Sequence, residues 1–265
     1  MTDIKLIAID LDDTLLHDDL TISARAKKDI QEVVDKGVTV TLATGRMFAA
    51  ALPFGKELGL NVPLITYQGG MVKYLDGRIV SHQKIPQDMA QSVIDFLHPY
   101  GYHINVYVND ELFMERDSSE GRRYVAMTKV SPHYVDSFER LWDEPTKLVI
   151  IADDKQLEEL TQPLEQRFGD RLKITKTLAH LLEVTHRKAT KGVALKALAE
   201  SLSLGFENVM AIGDSLNDIE MIEYAGFGVA MENAVPQLKE KANYITCSNN
   251  ADGVAEVLER FILTK

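Results

Sequence analysis

Lys5-Leu6-Ile7-Ala8-Ile9-Asp10-Leu11-Asp12-Asp13-Thr14 reads as a short strand that breaks into a turn carrying carboxylates. Leu6 to Ile9 is apolar without alternation, the pattern of a strand covered on both faces of a parallel sheet. A second run, Asn208-Val209-Met210-Ala211-Ile212-Gly213-Asp214, ends in the same way, with Asn217-Asp218 just beyond it. A third, Val38-Thr39-Val40-Thr41-Leu42-Ala43, ends in Thr44-Gly45-Arg46. Ligands of such sheets bind just beyond the carboxyl ends of the strands. Three strand ends therefore direct Asp10 and Asp12, Thr44, and Asp214 toward one crevice, in a pattern that suits a magnesium ion and a phosphate.

Working outward from these runs, the chain alternates strand and helix. Ser23 is placed to cap a helix whose apolar stripe is Ala26, Ile30, Val33 and Val34, and Gly37 ends it before the Val38 strand. Another apolar run follows at Val62 to Thr66. From His82 to Arg187 the texture changes: His103 to Val108, Glu111 to Met114 and Lys147 to Ala152 read as strands, with amphipathic helices at Pro86 to Leu97 and Asp154 to Phe168. After Arg187 the first texture returns, with helices at Lys191 to Leu202, from Asp218, and at Ala251 to Ile262, and a strand at Phe227 to Ala230. The expectation is an α/β protein with a doubly wound, mostly parallel, Rossmann-like core formed by 1–81 and 188–265, and an inserted α+β domain at 82–187.

Composition narrows the function. The 265 residues are 45% hydrophobic, enough for a large core and more typical of two domains than one. A net charge of -11 argues against a nucleic-acid surface, which needs Lys and Arg to neutralise phosphates. An anionic substrate must then be captured by local cations, amides or a metal. The single cysteine, Cys247, excludes an internal disulfide and a Cys-rich zinc site. No apolar stretch approaches a membrane span, and Met1 leads directly into a strand rather than a signal peptide, so a soluble cytoplasmic protein is expected.

The chemistry follows from the acidic turns. Asp10 and Asp214, with a backbone carbonyl near Asp12, offer hard oxygen ligands to Mg²⁺, which keeps water or substrate phosphate in its other positions. With the metal screening charge, Asp10 can attack phosphorus as a nucleophile. Asp12 is then free to protonate the departing alkoxide and to take a proton from the hydrolytic water. Thr44, the Gly45 amide and Lys191, at a helix start, can neutralise and orient the phosphoryl group.

Asp10-Leu11-Asp12-Asp13-Thr14, Thr44-Gly45-Arg46, Lys191-Gly192 and Gly213-Asp214 with Asn217-Asp218 resemble, in order, the four motifs of the haloacid dehalogenase-like hydrolases. More narrowly, the chain is similar to the Cof-type phosphatases, in which a large α/β cap is inserted between the second and third motifs. The resemblance implies Asp10 as nucleophile and magnesium ligand, Asp12 as general acid/base and ligand through its carbonyl, Asp214 as ligand, and Asp218 as support behind the metal. It further implies phosphate contacts from the Leu11 amide, Thr44, Gly45, Arg46, Lys191 and Asn217, and small phosphorylated metabolites, such as sugar phosphates or phosphorylated cofactors, as substrates. One departure stands out: relatives usually carry Asn-Gly where this chain has Tyr67-Gln68-Gly69-Gly70.

Each assignment has a plainer competitor. Asp10 and Asp12 alone read equally well as turn-capping carboxylates, Thr44-Gly45-Arg46 alone as a turn, Lys191 alone as a solvated lysine, and Asp218 as a helix cap. The seven histidines show no metal-ligand spacing. Tyr107, Phe113, Tyr124 and Tyr134 read as core of the inserted domain, and Arg122-Arg123 as an exposed charged loop. A phosphomutase would use the same site with a sugar hydroxyl as acceptor. A phospho-accepting switch protein would keep the Asp10 phosphate without turnover, although such domains are shorter and uncapped. The sequence does not fix the oligomeric state or the metabolite.

Overall fold

The computed structural model describes residues 3–264. Its contacts divide the chain into two compact units, Met1–Ser81 with Thr190–Lys265, and His82–Ala189. The opening apolar run forms β1 (Leu6–Ile9), all four residues buried. Next comes α1 (Ala24–Asp35), because the Ser23 hydroxyl accepts the Ala26 amide at 3.0 Å and satisfies one of the first-turn donors. Ala26, Ile30 and Val33 are buried as the stripe predicts, whereas Val34 is only half-buried and Asp29 is buried instead. Then follow β2 (Thr39–Leu42), α2 (Phe48–Glu57) and β3 (Leu64–Thr66), which continues the layer through a parallel bridge from Ala43 to Ile65. β4 (Met71–Lys73) and β5 (Ile79–His82) complete a small sheet in the order β3-β4-β5.

The second unit contains α3 (Gln87–Leu97), β6 (His103–Val108), β7 (Glu111–Met114), α4 (Ser119–Thr128), β8 (Pro132–Tyr134), β9 (Lys147–Ile151), α5 (Asp154–Phe168), β10 (Leu172–Leu178) and β11 (Leu181–His186). Its sheet runs β10-β11-β9-β6-β7-β8, antiparallel except for the parallel β7–β8 pair. Strand alternation sorts the residues onto two faces. Val106, Val108, Leu148, Ile150, Leu182 and Val184 meet Val93 and Leu97 of α3 and Leu157, Leu160 and Leu164 of α5 in one core. The alternate positions include buried polar groups: Lys147 donates to Glu183 at 2.9 Å, and the Tyr107 hydroxyl is 2.6 Å from that of Tyr124 on the neighbouring helix. Tyr134, expected in the core, is 54% exposed. Arg122 and Arg123 lie on α4 rather than in a loop; the Ser118 hydroxyl starts that helix by accepting the Gly121 amide, and Tyr124 anchors it.

The first unit resumes with α6 (Lys191–Ser201), β12 (Val209–Gly213), α7 (Ile219–Tyr224), β13 (Phe227–Ala230), α8 (Pro236–Lys239), β14 (Tyr244–Ile245) and α9 (Gly253–Leu258). The expected closing helix is thus shorter, and a wider turn, Glu259–Leu263, extends it. The sheet order is β14-β13-β12-β1-β2, every pair parallel. α1 packs with α9 and α6 with α7. The register pairs Ile9 with both Ile212 and Leu42, so β1, β12 and β2 end level with one another. Asp10, Asp214 and Thr44 emerge at that common edge. No helix among the described residues is long and apolar enough to cross a membrane.

Candidate active site

Asp10 closes β1, its amide held by the Ile212 carbonyl at 3.0 Å. The next five residues form one wide turn, with the Leu15 and Leu16 amides donating to the Asp10 and Leu11 carbonyls. Leu11 is buried, and Asp13 takes the left-handed conformation that Asp tolerates better than most residues. The turn leaves the Asp10 carboxylate in the interior, 5% exposed, with Oδ1 2.6 Å from the Lys191 ammonium.

Lys191 opens α6, whose first turn is capped by the Thr190 hydroxyl accepting the Val193 amide. Its Nζ is also 2.6 Å from Asp218 Oδ1, so one buried ammonium joins two buried carboxylates. Asp218 Oδ2 accepts the Asp214 and Ser215 amides at 3.0 Å each. With both oxygens committed, Asp218 is a brace that fixes the turn after β12. Asp214 accepts the Thr14 hydroxyl on one oxygen and the Ser215 hydroxyl on the other, each at 3.0 Å.

Asp10, Asp214 and Asp218 each bring a carboxylate oxygen within 4.8 Å of the others. Burial pushes the Asp10 carboxyl well above its ordinary range; Lys191 opposes this, while Asp218 and Asp214 add to it. Burial, then the Asp218 charge, push Asp214 up to about 6. Lys191 is held firmly protonated, because the attraction of Asp10 and Asp218 outweighs the cost of its burial. Three buried carboxylates beside a single ammonium, which pairs with Asp10 and Asp218, leave excess negative charge in the site. A hard divalent cation with oxygen ligands fits that imbalance and that donor set.

Asp12 faces another partner. Its carboxylate receives two bonds from Arg46, Nε to Oδ2 at 2.9 Å and the terminal nitrogen to Oδ1 at 2.5 Å, the fork geometry that fixes both groups. Arg46, expected at the phosphate, therefore lies on the proton-transfer candidate, with its guanidinium 5.2 Å from the Phe54 ring centre. Thr44 accepts the Arg46 amide at 3.1 Å and is itself buried. Asn217 donates to Gln68 Oε1 at 2.8 Å. The sequence marks Gln68 only as a departure from the family pattern and Thr14 only as part of the first motif, and nothing local in it points to Ser215 or to the Gln68–Asn217 contact. The second unit holds a cavity of about 950 Å³ lined in part by Tyr100, His103, Arg116 and Tyr124, and none of the acidic cluster lines it.

The chain is similar to known proteins along nearly its whole length. Residues 7–258 match the family model for haloacid dehalogenase-like hydrolases. A 5-amino-6-(5-phospho-D-ribitylamino)uracil phosphatase of Bacillus subtilis, YcsE, is 35% identical, with 98% of this chain and 97% of that protein covered. An HMP-PP phosphatase of Yersinia pestis is 31% identical over 97% of this chain and 95% of its own length. Among solved structures, TM0651 from Thermotoga maritima superposes with a TM-score of 0.89 at 33% identity, covering 97% of each chain.

Proposed function

The chain belongs to the haloacid dehalogenase-like hydrolases, and from that premise we propose that it is a magnesium-dependent phosphatase of small phosphorylated metabolites, working through an aspartyl-phosphate at Asp10. The observation that carries the reading is the buried meeting of Asp10, Asp214 and Asp218, two of which, Asp10 and Asp218, are bridged by Lys191. Asp10, Asp214 and the Asp12 carbonyl would hold the ion, which supplies positive charge at the phosphoryl group and keeps the carboxylates ionised.

An Asp10 oxygen attacks phosphorus, the bond to the ester oxygen breaks, and the leaving alkoxide takes a proton from the Asp12 carboxyl. Water then attacks the acyl phosphate, gives a proton to Asp12, and releases inorganic phosphate with Asp10 restored. Arg46 orients Asp12 by holding both its oxygens, and one of the two bonds must open when Asp12 takes up the proton that it passes on. Lys191, Thr44 and the Gly45 and Leu11 amides neutralise and orient the phosphoryl oxygens, which is most of what phosphoryl transfer asks of a protein. Asp218 holds Lys191 and the Asp214 turn in place.

The His82–Ala189 unit serves as the cap that selects the leaving group. Relatives named for a phosphorylated ribitylaminouracil and for HMP-PP point to phosphorylated cofactor precursors beside sugar phosphates as the substrate class. The test is phosphate release from a panel of both classes, with Mg²⁺ and with chelator. Metal-dependent release is expected from at least one class. A panel with no release, or with release indifferent to chelator, overturns the reading.

A further inference from the structure

The segment between β3 and β4 has an unusual backbone. Tyr67, Gln68 and Gly69 are all left-handed, with φ of 52°, 60° and 95°. Only the glycine adopts this freely; for Tyr and Gln it is a strained state that persists where the surroundings impose it. Here they do. The Tyr67 amide donates to the Arg46 carbonyl at 2.9 Å and the Gln68 amide to the Thr44 carbonyl at 3.1 Å. On the other side, a Cβ at Gly69 would run into the Thr190 carbonyl. The Tyr67 side chain is fully buried. The segment is thus clamped between the turn after β2 and the start of α6.

The clamp throws the Gln68 side chain across Gly45, where a Cβ would collide with its carboxamide nitrogen. Gln68 Oε1 accepts from Asn217 Nδ2 at 2.8 Å, so the carboxamide spans the turns after β2 and β12, between two residues assigned to the phosphate. Gln68 is half-buried, and this is its one side-chain bond among the described residues, so Nε2 over Gly45 is left open to a ligand, while Asn217 Oδ1 is buried without a partner. A purely structural bridge between amides would be expected to pair both ends, whereas this one leaves Asn217 Oδ1 buried and unpaired and Gln68 Nε2 facing the phosphate-side turn.

We propose that Gln68 is a substrate-contacting residue of the phosphate site: its Nε2 donates to a phosphoryl oxygen held over Gly45, and Asn217 fixes which end of the carboxamide faces that oxygen. The inference rests on the phosphatase reading. It adds a neutral donor to the charged ones, at a position where the side chain's length decides its reach.

The experiment compares wild type, Gln68→Leu and Gln68→Glu by calorimetric binding of inorganic phosphate with Mg²⁺ present, alongside kcat and KM on an active substrate. Removing one donor to a charged oxygen should weaken phosphate binding about tenfold or more in Gln68→Leu. Gln68→Glu, almost the same size, places a negative charge beside the phosphate and should weaken it further while the melting temperature stays near wild type. Wild-type phosphate affinity in Gln68→Leu, or in a folded Gln68→Glu, overturns the inference. Loss of catalysis in wild type itself would instead remove the phosphatase reading, and the binding measurement would still decide the role of Gln68.

Discussion

Replacing Asp214 by asparagine removes one buried charge while keeping the side chain's shape, and the structure sets the direction of the result. Asp214 is 7% exposed and its carboxyl is pushed up to about 6, first by burial and then by Asp218. Its folded pKa is raised above the unfolded value, so its contribution to stability is complete below about pH 4 and is lost as pH rises through 6. A rise of about two units corresponds to roughly 3 kcal/mol against the folded state at pH 8 without metal, at ~1.4 kcal/mol per unit. Asparagine escapes this cost, although one of the Thr14 and Ser215 hydroxyls must reorient from an oxygen to an amide nitrogen, at about 1 kcal/mol. In chelator at pH 8, Asp214→Asn should therefore melt a few degrees above wild type, at about 2–4 °C per kcal/mol. At pH 5 the two should converge. Saturating Mg²⁺ should reverse the order, since a ligand at a hundred times its Kd adds about 2.7 kcal/mol to a chain that binds it. Thermal melts of both proteins at the two pH values, in chelator and in Mg²⁺, check this. A variant less stable than wild type in chelator at pH 8 that still gains stability from Mg²⁺ would refute the reasoning.

Arg46→Lys should lose the two-pronged hold on Asp12. Its kcat should fall about tenfold or more on esters with poor leaving groups, and little on nitrophenyl phosphate, whose leaving group needs no proton. Lys147→Met leaves Glu183 as an uncompensated charge in the polar layer of the second unit and should cost about 3–5 kcal/mol, with Lys147→Met/Glu183→Leu recovering most of it in denaturant melts. Gly69→Ala drives a methyl group into the Thr190 carbonyl at φ 95°. Overlap and strain together should lower stability by at least about 1–3 kcal/mol and displace Lys191, read as a lower melting temperature with a loss of kcat.

Much of the core layer was readable because local pattern and tertiary role coincide there. Runs such as Leu6 to Ile9 and Val209 to Ile212 are apolar throughout because both faces are buried, and Ser23 and Thr190 mark helix starts through bonds reaching only three residues. The strand-end carboxylates were visible for the same reason. Features that depend on distant partners were not. α4 was hidden by Arg122 and Arg123, since only Gly121 and Tyr124 of it are buried. Lys147 and Glu183 look like surface residues until strand pairing brings them together 36 residues apart. Arg46 reads as a phosphate ligand from its place after Thr44-Gly45, but it finds Asp12 across 34 residues. Gln68 stands out in the sequence only as a departure from a pattern, and its bond to Asn217 spans 149 residues.

The most direct test is chemical identification of the intermediate. Wild type, Asp12→Ala and Asp10→Asn would be mixed with labelled nitrophenyl phosphate, whose leaving group departs without a proton from Asp12, quenched in acid, and digested for mass analysis. The account predicts a phosphorylated peptide carrying the modification on Asp10, accumulating in Asp12→Ala because deacylation lacks its base, and absent from Asp10→Asn, whose turnover falls on the order of a thousandfold or more. Phosphate release undiminished in Asp10→Asn, or a phosphoryl group found on another residue, would contradict it.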